Sequence, residues 1–258
     1  MKKRGIVHRD RGVALLIVLL VTALLIALIF EFAYGTRVSL RGAVNFRDSQ
    51  RAYFLARSGV AIFTKFSQLK DMVPQGEWGV VPIISAGDTE VRFKWEDERG
   101  KLNVNDVIST TPNSTPDWVA ELFQQRGFST DIFRKVQDLR KDGRPFKLLS
   151  ELHKVLSDEE YNKVARFLTV SSDNKININT ASEEVLNSVL VSNKVAVGMI
   201  VNNRKDKPIG SLTDVGLNPQ VNLNLVTTNG TLMVYSYATV GGYTKQIESI
   251  GGTYWSVK

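Results

Sequence analysis

Hydrophobic and polar positions divide the chain into five successive stretches. Val13 to Phe30 (VALLIVLLVTALLIALIF) is an unbroken apolar run of 18 residues with no charge and only Thr22 polar. At 1.5 Å per residue it makes a helix just long enough to cross the hydrocarbon layer of a bilayer. From Glu31 to Leu69 there is no proline, and apolar residues recur at Phe32, Val38, Val44, Ala52, Leu55, Ala56, Val60 and Phe63. That spacing predicts one stripe on a continuation of the same helix, with Arg37, Arg41, Arg47, Arg51 and Arg57 between the apolar positions. Gly35, Gly42 and Gly59 are expected to mark bends or close packing.

After Pro74 the period changes from helical to alternating. Val80–Ser85 and Glu90–Glu98 (EVRFKWEDE) read as strands, with Val91, Phe93 and Trp95 on one face and Arg92 and Lys94 on the other. Gly87-Asp88 between them signals a hairpin turn. Residues 106–222 return to helical spacing through Trp118–Phe123, Ile132–Leu139, Leu148–Leu156, Tyr161–Leu168, Val185–Leu190 and Val195–Val201. Two capping boxes are expected, Ser157 with Glu160 and Thr180 with Glu183. After Leu223 alternation resumes: Thr231–Val240, a Gly241-Gly242 turn, Lys245–Ile250, a Gly251-Gly252 turn, and a last short strand at Thr253–Val257. Strands on both sides of a helical block predict one antiparallel sheet with an all-helical domain inserted into it.

The helical block carries an internal repeat. Arg140–Leu152 (RKDGRPFKLLSEL) parallels Arg204–Val215 (RKDKPIGSLTDV), with one extra residue before the proline in the first copy. Each copy follows one helix and opens another with Ser or Thr ahead of an acid, so two related helical units are expected.

Charge refines the picture. The formal net charge is +7. Lys2, Lys3, Arg4, Arg9 and Arg11 against Asp10 place +4 of it in the first twelve residues, whereas residues 106–222 balance 15 basic against 15 acidic side chains. A basic cluster directly before an apolar run is a topology signal that keeps the N-terminus cytoplasmic. The chain has no cysteine, which excludes a disulfide framework, thiol catalysis and thiolate metal sites.

The junction Arg11-Gly12-Val13, a short basic leader ending in Gly before the apolar run, resembles the signal of type IV pilins and pseudopilins. With three further phrases the resemblance narrows. AYFLARSGVA (from Ala52), RGKLNVND (from Arg99) and KININTASEEVL (Lys175–Leu186) are similar to phrases of the general secretion pathway protein K family, the large minor pseudopilins of type II secretion. The resemblance spans nearly the whole chain. It implies an α+β fold, a pilin-like long N-terminal helix packed on an antiparallel sheet, with an inserted all-helical domain containing two helix-hairpin-helix-like repeats. The domains expected are a cleaved leader (1–12), the transmembrane (13–30) and periplasmic (31–70) halves of the helix, a sheet domain (71–105 and 223–258), and the insertion (106–222).

The same resemblance implies cleavage by prepilin peptidase between Gly12 and Val13, with methylation of the new terminus. It also implies an inner-membrane anchor with a periplasmic body, and a place at the pseudopilus tip beside other minor pseudopilins and the major pseudopilin. Most pilins have Glu at the fifth mature position, and in that family it pairs with the terminal amine of the neighbouring subunit. Here that position is Ile17. A subunit with nothing above it has no amine to meet, and an apolar side chain avoids the cost of a buried carboxylate. Ile17 is therefore the expected determinant of a tip position.

Two other functions have partial echoes in the sequence. ININTASEEVL with the following helix and Arg204 also resembles the helix-hairpin-helix domains of DNA-uptake proteins. The corresponding turns, Gln125–Ser129 and Val191–Val195, hold one glycine and none, where close phosphate approach needs Gly-hydrophobic-Gly. The neutral block also lacks the counterion-release term that dominates DNA affinity, so no nucleic-acid partner is expected. An enzyme is not expected either: His8 lies in the leader, His153 stands alone, and no catalytic triad, phosphate loop or metal-spaced cluster is present. No cofactor or metal is expected, and the loop Asp138-Leu139-Arg140-Lys141-Asp142, where some family members carry an acidic calcium loop, has two cations that would repel one.

Overall fold

A computed structural model describes residues 7–66, 69–81, 87–105, 118–139, 144–251 and 253–257. Helix α1 (Val7–Lys65) is continuous over 59 residues, and a single turn, α2 (Leu69–Met72), follows it. A five-stranded antiparallel sheet has the order β1 (Gly79–Val80), β2 (Thr89–Asp97), β7 (Leu232–Val240), β8 (Tyr243–Ile250), β9 (Thr253–Val257). Between β2 and β7 the chain makes a separate unit of α3 (Trp118–Gln125), α4 (Thr130–Asp138), α5 (Asp158–Val164), α6 (Glu183–Val189) and α7 (Lys194–Asn203). Two short parallel ladders stitch this unit together, β3 (Leu102–Asn103) with β4 (Leu168–Thr169) and β5 (Ile176–Asn177) with β6 (Leu225–Val226). The fold is α+β, with a long N-terminal helix on an antiparallel sheet and helices inserted into it.

The sheet follows the alternation in the sequence. Val91, Phe93 and Trp95 of β2 and Val234, Ala238 and Ile247 of β7 and β8 point inward and are buried against α1. Only about the last three turns of the expected helix stripe are covered: Ala52, Ala56, Val60 and Phe63 are buried, whereas Phe32, Val38 and Val44 remain exposed. The small side chains let helix and sheet approach closely. At Gly59 a Cβ would collide with the Ser236 hydroxyl and touch Val91, so the glycine there is a packing requirement, while Gly35 and Gly42 meet nothing within 4 Å. Phe63 seals the end of the seam, 5.2 Å from Phe93 and 6.3 Å from Trp95 between ring centroids. The β7–β8 turn is made by Gly241 and Gly242 at φ +54° and +85°, the positive values a two-residue hairpin demands at both central positions.

Several expectations are revised. The strand over Val80–Ser85 is described only at its start, since 82–86 lie outside the described residues; Val81 still donates to the Val91 carbonyl at 2.9 Å. The helix expected at Leu148–Leu156 is a 3-10 segment, Leu149–Lys154, and the one at Tyr161–Leu168 stops at Val164 so that Leu168 can enter β4. The Ser157 box forms as expected. The Thr180 box does not: α6 begins at Glu183, so the cap is Ser182, which accepts from the Val185 amide, while the Thr180 hydroxyl donates to Asp97. Of the internal repeat, Arg140–Gly143 lie outside the described residues, and with them most of the Asp138–Asp142 loop. In the second copy Ser211 and Asp214 box a 3-10 turn (Leu212–Val215).

The helical unit has its own core, with 26 buried residues among those described; Leu122, Phe123, Leu152, Ile178, Leu186 and Ile200 are among the most enclosed. Burying each such side chain contributes about 1.5–3 kcal/mol before the entropy of ordering it. Helices α3 and α4 are joined through Arg126–Ser129, and α6 and α7 through Leu190–Asn193. These are the two hairpins read from the sequence, with Gly127 at φ +78° in the first and Asn193 capping Ala196 in the second. His153 is not isolated: its Nδ1 lies 3.2 Å from Asp158 and its ring stacks on Tyr161 at 4.0 Å.

Candidate functional site

Gly12, Val13 and Ile17 all lie on α1, and Val13 and Ile17 share a face one turn apart. Nothing approaches the Gly12 position within 4 Å, and Val13 and Ile17 are 58% and 55% exposed. Lys2, Lys3 and Arg4 lie outside the described residues. The whole run from Val13 to Phe30 is uncovered, with a mean hydropathy of 3.3 in its most apolar window and no part of that window buried. A bare apolar helix of this length is favoured only where hydrocarbon or other helices replace water, so α1 is a candidate membrane span. Among the described residues it is the one helix that qualifies.

Where the sheet hands over to the helical unit, a group of charged residues is buried that sequence reading did not single out. Asp97 ends β2 with no exposed surface. Its Oδ2 accepts from Asn177 Nδ2 at 2.8 Å and Thr180 Oγ1 at 2.9 Å, and its Oδ1 from the amides of Arg99 and Gly230 at 3.1 Å. Four donors compensate the cost of withdrawing a carboxylate from water. Next to it Glu98 accepts from Lys101 at 2.9 Å and from the Thr169 hydroxyl. Lys101 also reaches Glu96 at 2.7 Å, and Glu96 reaches Lys94 at 2.9 Å. Burial alone would lower the Lys101 pKa, but Glu98 and Glu96 outweigh it and raise the ammonium above its usual range. Burial likewise favours neutral Glu96, yet Lys101 and Lys94 hold its carboxyl below the usual range. Arg99 closes the far side with a two-pronged contact to Asp173 at 2.9 and 2.6 Å and bonds to the carbonyls of Thr228 and Asn229. These groups fix the helical unit to the sheet; their chemistry is positional.

A second set had a legible signal. Asn105 and Asn179 perform the same task in the two halves of the unit. The amide of Phe146 donates to Asn105 Oδ1 at 2.7 Å while Asn105 Nδ2 donates back to the Phe146 carbonyl and to that of Val170. Asn179 does likewise with Ile209, at 2.8 and 3.0 Å, and with Thr227. Two residues earlier, Asn103 and Asn177 each accept from the amide of Asn105 or Asn179. Aligning KLNVN (from Lys101) with KININ (from Lys175), and Pro145-Phe146 with Pro208-Ile209, would have exposed the duplication in full.

The comparison with solved structures fits this architecture. A crystal structure of the GspK–GspI–GspJ complex from the type 2 secretion system of enterotoxigenic Escherichia coli contains a chain that aligns with a TM-score of 0.60, over 84% of this chain and 97% of that one, at 11% identity. The chain shares the fold of a type 2 secretion component. No protein-family model matches it, and no curated protein matches it in sequence.

Proposed function

We propose that this chain is a minor pseudopilin of a type II protein secretion system, capping the pseudopilus tip with other minor pseudopilins and promoting its assembly. The observation that carries the reading is the joint arrangement of a bare apolar helix, a sheet packed on that helix's distal turns, and a helical unit inserted between β2 and β7. The likeness to a chain of the GspK–GspI–GspJ complex supports it. In this reading residues 1–12 are a leader removed between Gly12 and Val13 by prepilin peptidase. Residues 13–30 span the inner membrane, 31–70 continue the helix into the periplasm, and 106–222 form the insertion on the sheet domain (71–105 and 223–258). Ile17 leaves the tip subunit without a buried carboxylate to neutralise. The working role is structural rather than enzymatic.

Mass analysis of membrane-extracted protein tests the processing: the first twelve residues should be gone, and Gly12→Leu should retain them. An intact leader, or a cut beyond Phe30, overturns the pilin reading. Gold-labelled protein tests the position: it should mark one end of each pseudopilus, and labels along the shaft would refute the tip assignment.

A further inference from the structure

Between the outer face of the sheet and the helical unit runs a groove of about 1200 Å³. It exceeds the roughly 300–1000 Å³ of sites built for small molecules. Its floor is the face of the sheet that α1 does not cover, with Met233, Tyr235 and Ile250 supplying apolar surface. Its wall comes from the helical unit, which among the described residues contributes Lys147, Arg166, Arg204 and Lys205 to the lining and no carboxylate.

The charges of floor and wall are not equivalent. On the floor Glu96 and Glu98 are already neutralised by Lys94 and Lys101. Glu248 lies toward the β8 side and accepts from Gln246 at 3.3 Å. On the wall, Lys147 and Lys205 make no ion pair among the described residues and are exposed. Arg166 is 3.7 Å from Glu184, whose carboxylate Arg126 already holds at 2.8 Å. Arg204 is half-buried and spends one nitrogen on the carbonyls of Ile178 and Ala181, at 2.9 and 2.5 Å; it makes no ion pair among the described residues, although the charge of Glu183 is near enough to act on it. Burial presses its pKa downward, which an incoming anion would relieve. Leu148, 61% exposed, stands among these cations.

We infer that this groove docks an extended, acidic segment of a partner protein, its carboxylates toward the Lys147–Arg204–Lys205 wall and its apolar side chains on the Tyr235 floor. An extended chain presents alternate residues to opposite sides, which matches one cationic and one apolar surface. Glu248 and the carboxylates under the floor disfavour a nucleic acid, whose phosphates would meet them along the strand.

The test uses the full chain in phosphatidylcholine nanodiscs and a fluorescein-labelled decapeptide of alternating Glu and Tyr, read by anisotropy. Binding should weaken at least tenfold in Lys147→Glu/Lys205→Glu and should weaken as salt is raised. It should be unchanged in Arg134→Glu/Lys194→Glu, a pair of exposed cations outside the groove. Circular dichroism and melting checks that each variant keeps its fold. The inference is overturned if the peptide does not bind, if the groove variant binds it as well as the parent, or if an alternating Lys-Tyr peptide binds equally. Tighter, groove-dependent binding of a single-stranded DNA 20-mer overturns it in favour of a nucleic-acid site.

Discussion

The two halves of the helical unit use the same asparagine pair in different surroundings. In the first, Asn103 donates to the Ser172 carbonyl at 2.7 Å and to Asn174 at 3.0 Å, so it serves a loop of its own unit. In the second, Asn177 donates to Asp97 at 2.8 Å and to Asn229 at 2.9 Å, so it reaches a buried carboxylate at the end of the sheet. One copy therefore folds the unit and the other also attaches it. A repeated local device acquires a second role where a neighbour supplies a charge, since hydrogen bonds to charged groups contribute more than neutral ones.

Asp97→Ala should give the largest effect. It strands two side-chain donors and two amides in a buried place, costing about 3–4 kcal/mol. Chemical denaturation followed at single tryptophans, Trp95 for the sheet and Trp118 for the helical unit, should show the two transitions separating. Coincident transitions at the parent midpoint would break the contrast. Asn179→Ala should come next, at about 2–3 kcal/mol, with Asn105→Ala close behind because each loses three comparable bonds. Asn177→Ala should destabilise more than Asn103→Ala, about 2–3 against about 1–2 kcal/mol, and the reverse order would refute the division of roles.

Acid should act on the attachment before it acts on either core. The folded-state carboxyl of Glu96 is depressed, so its contribution is complete above about pH 4.3 and is lost as pH falls through its lower folded value. Lys101 is raised, so its contribution holds below about pH 10.4 and is lost only as pH rises through its higher folded value. Melting temperature followed from pH 6 to pH 3 should fall less steeply in Glu96→Gln than in the parent. The smallest effect is expected from Lys163→Ala, which removes an exposed helix pair with Glu159 at 2.7 Å and should leave the denaturation midpoint unchanged.

Much of the fold was legible because its period is simple. Val91, Phe93 and Trp95 alternate along β2, and the glycine pair at 241–242 separates β7 from β8, so strands and turn were read nearly to the residue. The helix boundaries in the insertion were less so. Leu168 has helical neighbours in sequence but is drawn into a parallel pair with Leu102, a partner that periodicity does not reveal. Thr180 looked like a cap, yet the helix starts two residues further on behind Ser182, and the Thr180 hydroxyl donates to a buried carboxylate 83 residues away. Gly12, Val13 and Ile17 were readable as a pattern because a basic cluster and the apolar run are contiguous in the sequence. The clamp asparagines were not, because asparagine in a short polar phrase reads as a turn former until its two copies are laid side by side.

The point where the insertion leaves the sheet has a consequence for how the gene can be edited. Asp97 and Leu232 are paired in register, and the Glu98 amide donates to the Thr231 carbonyl at 3.0 Å. More than a hundred residues thus depart and return within one strand spacing, about 4.8 Å. Cutting them out and joining β2 to β7 by a two-residue Asn-Gly turn would leave an ordinary hairpin under α1. The helical unit is in that sense a cassette: a different domain whose ends lie equally close could be spliced into the same slot without disturbing the sheet's register.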